Sequence, residues 1–252
     1  MHYLISGQGP PFIFQHGLSS NAQQPQHILA DLPGVQLISM DCPGHGRAPL
    51  PPGQKPSFQY YTDEVLRLMD HLQIEQTSMG GISMGSGISI QLAMRAPKRI
   101  KALVLVRPAW LDQTAPVTLR ILSKAADFIE KKDGKKAFGQ ETDFQEIAQS
   151  LPKAGDSILG VFAETQRPEI PTVLKSMVED RPFKDLKDLE QIQQPCLIIA
   201  NGDDPLHPYE MAEAIHQHLP NSRLERVTSR YINNEQHTQE VNQLVSKFIK
   251  TI

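Results

Sequence analysis

Short apolar runs alternate along the chain with longer amphipathic stretches. Residues 3–5 and 12–14 read as two early strands around a Gly-Gln-Gly-Pro-Pro turn, and residues 35–40 as a third. Residues 58–72 carry apolar side chains at 58, 61, 65, 68, 69 and 72, which is helical spacing. A strand over 76–80 and a helix over 84–96 follow. Residues 100–106 form a near-continuous apolar run, as does 196–200, and both fit strands buried on two faces of a parallel sheet. A helix over 208–218, a strand over 223–227 and a helix over 238–250 close the chain. Strands alternating with helices predict an α/β fold with a doubly wound, mostly parallel sheet and right-handed crossovers.

Residues 108–190 break this rhythm. They are charged, helical in pattern and without a convincing buried strand. Pro108, Pro116, Pro152, Pro168, Pro171 and Pro182 divide them into pieces. Their place between two core strands predicts an inserted helical cap over the carboxyl edge of the sheet, with 1–107 and 191–252 as the core. A set of ordinary surface helices is the plainer alternative. No internal repeat or low-complexity tract is visible.

The most informative stretch is Met79-Gly80-Gly81-Ile82-Ser83-Met84-Gly85-Ser86-Gly87. Ser83 stands between Gly81 and Gly85 at G-x-S-x-G spacing, after a strand and before a helix. That context makes the motif a nucleophile elbow, whose turn holds the serine in an awkward backbone geometry and leaves no room for Cβ atoms at the flanking glycines. Alone the pattern is weak, since Gly/Ser-rich turns open many helices.

A serine hydroxyl is a poor nucleophile near neutral pH and needs a base, which in turn needs an orienting carboxylate. On such sheets these follow the elbow in the order acid, then histidine. Asn201-Gly202-Asp203-Asp204-Pro205-Leu206-His207-Pro208 comes directly after the buried run 196–200, so it points at the same edge as the elbow. Asp204 is the expected acid and Asp203 its rival; a plain turn or helix cap would also use Asp-Pro. Of nine histidines, His237 is the expected base, because it follows the last strand and precedes the last helix. His207, His216 and His218 lie on or beside a helix, and His45 sits in a Pro-Gly-His-Gly turn. The N–H groups of Met84 and Leu18 are expected to form the oxyanion hole. Gly17 lets the backbone come close to substrate, and His16 orders the loop. Arg107 and Trp110 fall near the mouth of the pocket. Arg107 would either bind a substrate carboxylate or pair with an aspartate of the cap, the second being the plainer assignment.

A length of 252 residues suits one large α/β domain with an inserted lid. A net charge of −3 with interspersed signs argues against a nucleic-acid partner. Lys131, Lys132, Lys135 and Lys136 alternate with Glu130 and Asp133, as on a solvated helix face. Cys42 and Cys196 sit beside buried strands and read as reduced core residues. No apolar run approaches the ~18 residues of a membrane span, and the first residues lack a signal-peptide pattern. The expectation is a cytoplasmic protein acting on a small molecule, with no metal or organic cofactor and no membrane partner. The sequence carries no signal for the oligomeric state.

Together these residues resemble the α/β-hydrolase superfamily, in particular its compact, lidded serine hydrolases. The resemblance covers nearly all of the chain outside the cap. It rests on His16-Gly17, on Asp41-Cys42-Pro43-Gly44-His45-Gly46-Arg47, on the Ser83 elbow, on Gly202-Asp203-Asp204-Pro205 and on a late histidine. Relatives often have Gly before that histidine, where this chain has Gln236, and Ser after the arginine, where it has Ala48. Many begin with one more strand, so the resemblance predicts a sheet lacking an edge strand. Serine at position 83 separates the chain from the branches that use Asp there. The implied activity is cleavage of an ester, lactone or related acyl bond through Ser83, Asp204 and His237. A C–C bond hydrolase or cofactor-free lyase, an accessory thioesterase, and a non-catalytic ligand-binding protein on the same fold are the alternatives.

Overall fold

A computed structural model describes every residue except 31, 164 and 165. Seven strands form one sheet: β1 (Tyr3–Gly7), β2 (Pro11–Gln15), β3 (Gln36–Met40), β4 (Thr77–Ile82), β5 (Ile100–Val106), β6 (Cys196–Ala200) and β7 (Ser222–Arg226), in the order β1-β3-β2-β4-β5-β6-β7. β1 runs antiparallel to β3, with Tyr3 opposite Met40, and every other pairing is parallel. All seven strands fall within two residues of their predicted positions.

Alternation along the central strands divides the core between the two faces. Leu103, Leu105, Cys196 and Ile198 belong to one apolar cluster, and Val104, Val106, Leu197 and Ile199 to the other. Side chains of a strand point alternately to opposite faces, so a strand covered on both sides is apolar throughout. Cys42 and Cys196 are buried free thiols in the first cluster, and burial pushes both well above the ordinary thiol range.

Helices α1 (Gln23–Ile28), α2 (Phe58–His71) and α3 (Met84–Arg95) belong to the first half of the chain. The Ser57 hydroxyl accepts the Tyr60 N–H at 3.0 Å and caps α2. Between β5 and β6 lie α4 (Arg120–Ile129), α5 (Gly134–Phe138), α6 (Thr142–Ser150), α7 (Pro152–Leu159) and α8 (Ile170–Val178), with no strand among the described residues. Leu119, Leu122, Ile158 and Val173 from this segment join the cluster that covers the first sheet face. The helices therefore share one core with the sheet.

α9 (Tyr209–His218) and α10 (Asn234–Ile249) complete the fold. α10 begins four residues earlier than its apolar pattern predicts, because the Asn233 side chain accepts the Gln236 N–H at 3.1 Å and caps the extra turn. Among the described residues no helix is long and apolar enough to cross a membrane.

Candidate active site

Ser83 occupies the junction of β4 and α3 with φ 55° and ψ −111°. That is the strained geometry expected of an elbow. Its N–H donates to the Val106 carbonyl at 2.9 Å, extending the β4–β5 pairing by one residue. Glycine is required on both sides. A Cβ on Gly81 would lie 2.3 Å from the carbonyl carbon of Gly85, and one on Gly85 would lie 2.4 Å from the Gln15 carbonyl oxygen. Ser86 locks the turn by donating its hydroxyl to the Gly81 carbonyl at 2.8 Å.

The partner of the Ser83 hydroxyl is His207. Its Nε2 lies 2.9 Å from Ser83 Oγ, and its Nδ1 lies 2.9 Å from Asp204 Oδ1. The carboxylate can only accept, so Nδ1 carries the proton and Nε2 presents a lone pair to the serine. All three residues are buried, Ser83 and His207 each being 8% exposed.

A tight turn makes this possible. The His207 N–H reaches the Asp204 carbonyl at 3.3 Å, and Asp204 Oδ1 accepts the N–H groups of Leu206 and His207, each at 3.2 Å. The turn thus folds the imidazole back onto the carboxylate three residues before it. Asp204 Oδ2 faces Arg107 Nη1 at 3.3 Å. Burial would raise the Asp204 pKa, but His207, Arg107 and the Leu206 N–H outweigh it and hold the carboxyl well below its ordinary range. Burial lowers the His207 pKa, Asp204 opposes that only in part, and Arg107 and Arg230 lower it further, so the imidazole is neutral at neutral pH.

His237 does not occupy the place the sequence predicts. It lies in the first turn of α10, and its Nδ1 hydrogen-bonds the Thr228 carbonyl at 2.8 Å. It is 1% exposed, and Nε2 has no hydrogen-bond partner among the described residues. Burial, reinforced by Arg107 and Arg230, pulls its pKa down to about 4. The extra turn at the start of α10 carries this residue out of the β7–α10 loop, while the Asp204 turn brings a different histidine to the serine.

Asp204, rather than Asp203, carries the carboxylate in this network. Asp203 contributes its backbone carbonyl, which accepts the Ser229 hydroxyl at 2.9 Å. Arg107 pairs with Asp204 and not with an aspartate of the 108–190 segment. Trp110 is a core residue: its Nε1 donates to the Met177 carbonyl at 3.0 Å, and its ring meets Phe58 edge-on. It does not line the cavity beside Ser83. His16 accepts the Cys42 N–H on Nε2 at 3.0 Å and bonds the Gly17 carbonyl through Nδ1 at 2.8 Å, which fixes the loop after β2.

Gly17, Leu18 and Arg107 line a cleft of about 70 Å³ at Ser83. Leu119, Leu122, Ile158 and Val161, all from the segment between β5 and β6, form its apolar wall. Arg230 and Tyr231, on the loop after β7, also reach it. Position after the last strand drew attention to His237 and away from these two. The signal for His207 was Asp-Pro-x-His, whose spacing suits a turn in which residues three apart meet.

A family model described as alpha/beta hydrolase fold matches residues 10–229. The chain is 25% identical over 236 residues to a pimeloyl-[acyl-carrier protein] methyl ester esterase of Nitrosomonas europaea, covering 89% of each chain. It is 25% identical over 254 residues to 3-oxoadipate enol-lactonase 2 of Acinetobacter baylyi, covering 99% of this chain and 93% of that one. Among solved structures, a meta-cleavage product hydrolase of Pseudomonas fluorescens superposes with a TM-score of 0.77 at 20% identity, covering 99% of this chain and 93% of the other.

Proposed function

The chain belongs to the alpha/beta hydrolase fold family, and on that premise we propose that it is a serine hydrolase cleaving an ester or lactone of a small molecule. Ser83 is the nucleophile, His207 the general base and Asp204 the carboxylate that orients and stabilises the imidazole. The observation that carries this reading is the unbroken path from Ser83 Oγ through His207 to Asp204, two contacts of 2.9 Å each. Similarity to an esterase and an enol-lactonase supports the bond type.

In this reading Ser83 Oγ attacks the substrate carbonyl while its proton passes to His207 Nε2. Asp204 stabilises the resulting imidazolium. The Met84 N–H opens α3 and Leu18 lines the cleft, and among the described residues neither amide donates to a protein acceptor. They are therefore available to the oxyanion of the tetrahedral intermediate, where loss of one such donor costs roughly 3 kcal/mol of barrier. His207 then gives its proton to the leaving oxygen. Water, deprotonated by His207, releases the acid from Ser83.

Residues 108–190 act as a cap, with Leu119, Leu122 and Val161 limiting the acyl group that fits. The buried free thiols fit a reducing compartment, the cytoplasm. Turnover of p-nitrophenyl butyrate and of small lactones, abolished in Ser83→Ala, is the expected result. Folded protein that turns over neither would contradict the proposal.

A further inference from the structure

Two arginines, Arg107 and Arg230, line the cleft beside Ser83, and among the described residues only Arg107 is paired with a carboxylate. Arg107 is 2% exposed and places Nη1 3.3 Å from Asp204 Oδ2, while its Nε has no acceptor among the described residues. Arg230 reaches the cleft from the loop after β7. It forms no ion pair among the described residues, and its guanidinium carbon sits 5.1 Å from the centre of the Tyr231 ring. No carboxylate side chain is among the described residues lining the cleft. With His207 neutral, the described residues of the site hold two positive charges against the single negative charge of Asp204.

Arg230 is close enough for its charge to depress His207, Arg107 and His237 alike. Leu119, Leu122 and Val161 give the same cleft an apolar wall. A half-buried cation against such a wall is poorly compensated by solvent, so an incoming anion gains more from it than from an exposed arginine. One surplus positive charge matches one monoanion. The cleft encloses only about 70 Å³, which limits that anion to a small molecule.

We infer that Arg230 is a substrate-binding residue that receives a carboxylate, so that the preferred substrates are small esters or lactones that also carry a free carboxylate group. This rests on the serine-hydrolase reading of the site. It also gives the β7–α10 loop a role: it delivers a cation for recognition, while the base comes from the loop after β6. Arg107 is paired with Asp204, which leaves Arg230 as the cleft arginine with no carboxylate partner among the described residues.

The test uses calorimetry on Ser83→Ala protein, with monomethyl glutarate as the anionic probe and dimethyl glutarate as its neutral counterpart. The monoester is expected to bind at least about tenfold more tightly. Arg230→Gln should abolish that preference while retaining binding of the diester, and Arg230→Lys should restore part of it. Equal binding of the two probes, a preference that survives Arg230→Gln, or no heat from either probe at millimolar concentration would overturn the inference. The serine-hydrolase reading is tested separately, by fluorophosphonate labelling of the unmutated protein, and the calorimetry does not depend on its outcome.

Discussion

Asp204 and His207 are three residues apart in the chain, and the imidazole Nδ1 of one lies 2.9 Å from the carboxylate Oδ1 of the other. One turn therefore carries both groups that the serine needs. The backbone N–H groups of Leu206 and His207 bond the same Oδ1, so the turn and the side-chain hydrogen bond stabilise each other. A base held this way moves with its acid, and its distance to Ser83 depends only on how the β6–α9 loop sits beside the elbow.

The choice of carboxylate can be checked with two isosteric changes. Asp204→Asn removes the acceptor that holds the Nδ1 proton, and kcat/KM should fall about 10⁴-fold. Asp203 has φ 51°, a conformation asparagine tolerates, and it works through its backbone carbonyl. Asp203→Asn should stay within a few-fold of the unmutated protein in p-nitrophenyl butyrate turnover.

The pH dependence of kcat/KM should report a neutral base with a lowered pKa. Burial and the two nearby arginines pull His207 below its ordinary value of 6.5. The protonated imidazole cannot accept the Ser83 proton, so activity should rise with pH through an acid limb whose midpoint lies below 6.5. A midpoint above that value in the free enzyme would contradict this electrostatic picture.

Stability should fall on mild acidification. His16, His45, His207 and His237 are all buried and all shifted downward, His237 to about 4. Between the unfolded value of 6.5 and these lowered values the unfolded chain binds more protons than the folded one, so stability rises with pH across that window and is lost as pH falls through it. Urea midpoints measured from about pH 7 down to about pH 5 should decrease steadily, and His237→Gln should flatten part of the slope.

The elbow allows almost no change at its glycines. Gly85→Ala would set a methyl group 2.4 Å from the Gln15 carbonyl oxygen, which belongs to strand backbone and cannot swing aside. A loss of about 1–3 kcal/mol in urea unfolding is expected. A larger proportional loss of turnover should accompany it, because the first turn of α3 must shift away from Ser83.

The central strands β5 and β6 were legible because the sheet is covered on both faces there, which makes runs such as Leu103–Val106 and Leu197–Ile199 apolar without interruption. Ser83 was legible because its turn excludes Cβ atoms at positions 81 and 85. Asp204 could be read from its place after a buried strand. The base could not be read the same way. Which histidine reaches the serine depends on how tightly residues 204–207 turn and on where α10 begins, and the apolar pattern specifies neither. Arg230 and Tyr231 were hidden for a related reason: the β7–α10 loop is polar throughout, and only its folded path distinguishes side chains that enter the cleft from those that meet solvent.

The most direct test of the account is the rate of covalent labelling by a fluorophosphonate, followed by intact mass on the unmutated protein and on Ser83→Ala, His207→Gln and His237→Gln. The unmutated protein should gain one adduct, and Ser83→Ala none. His207→Gln should label at least about 10²-fold more slowly, since the serine loses its base, while His237→Gln should label within a few-fold of the unmutated rate. Slow labelling of His237→Gln combined with an unchanged rate in His207→Gln would contradict the assignment of His207 as the base.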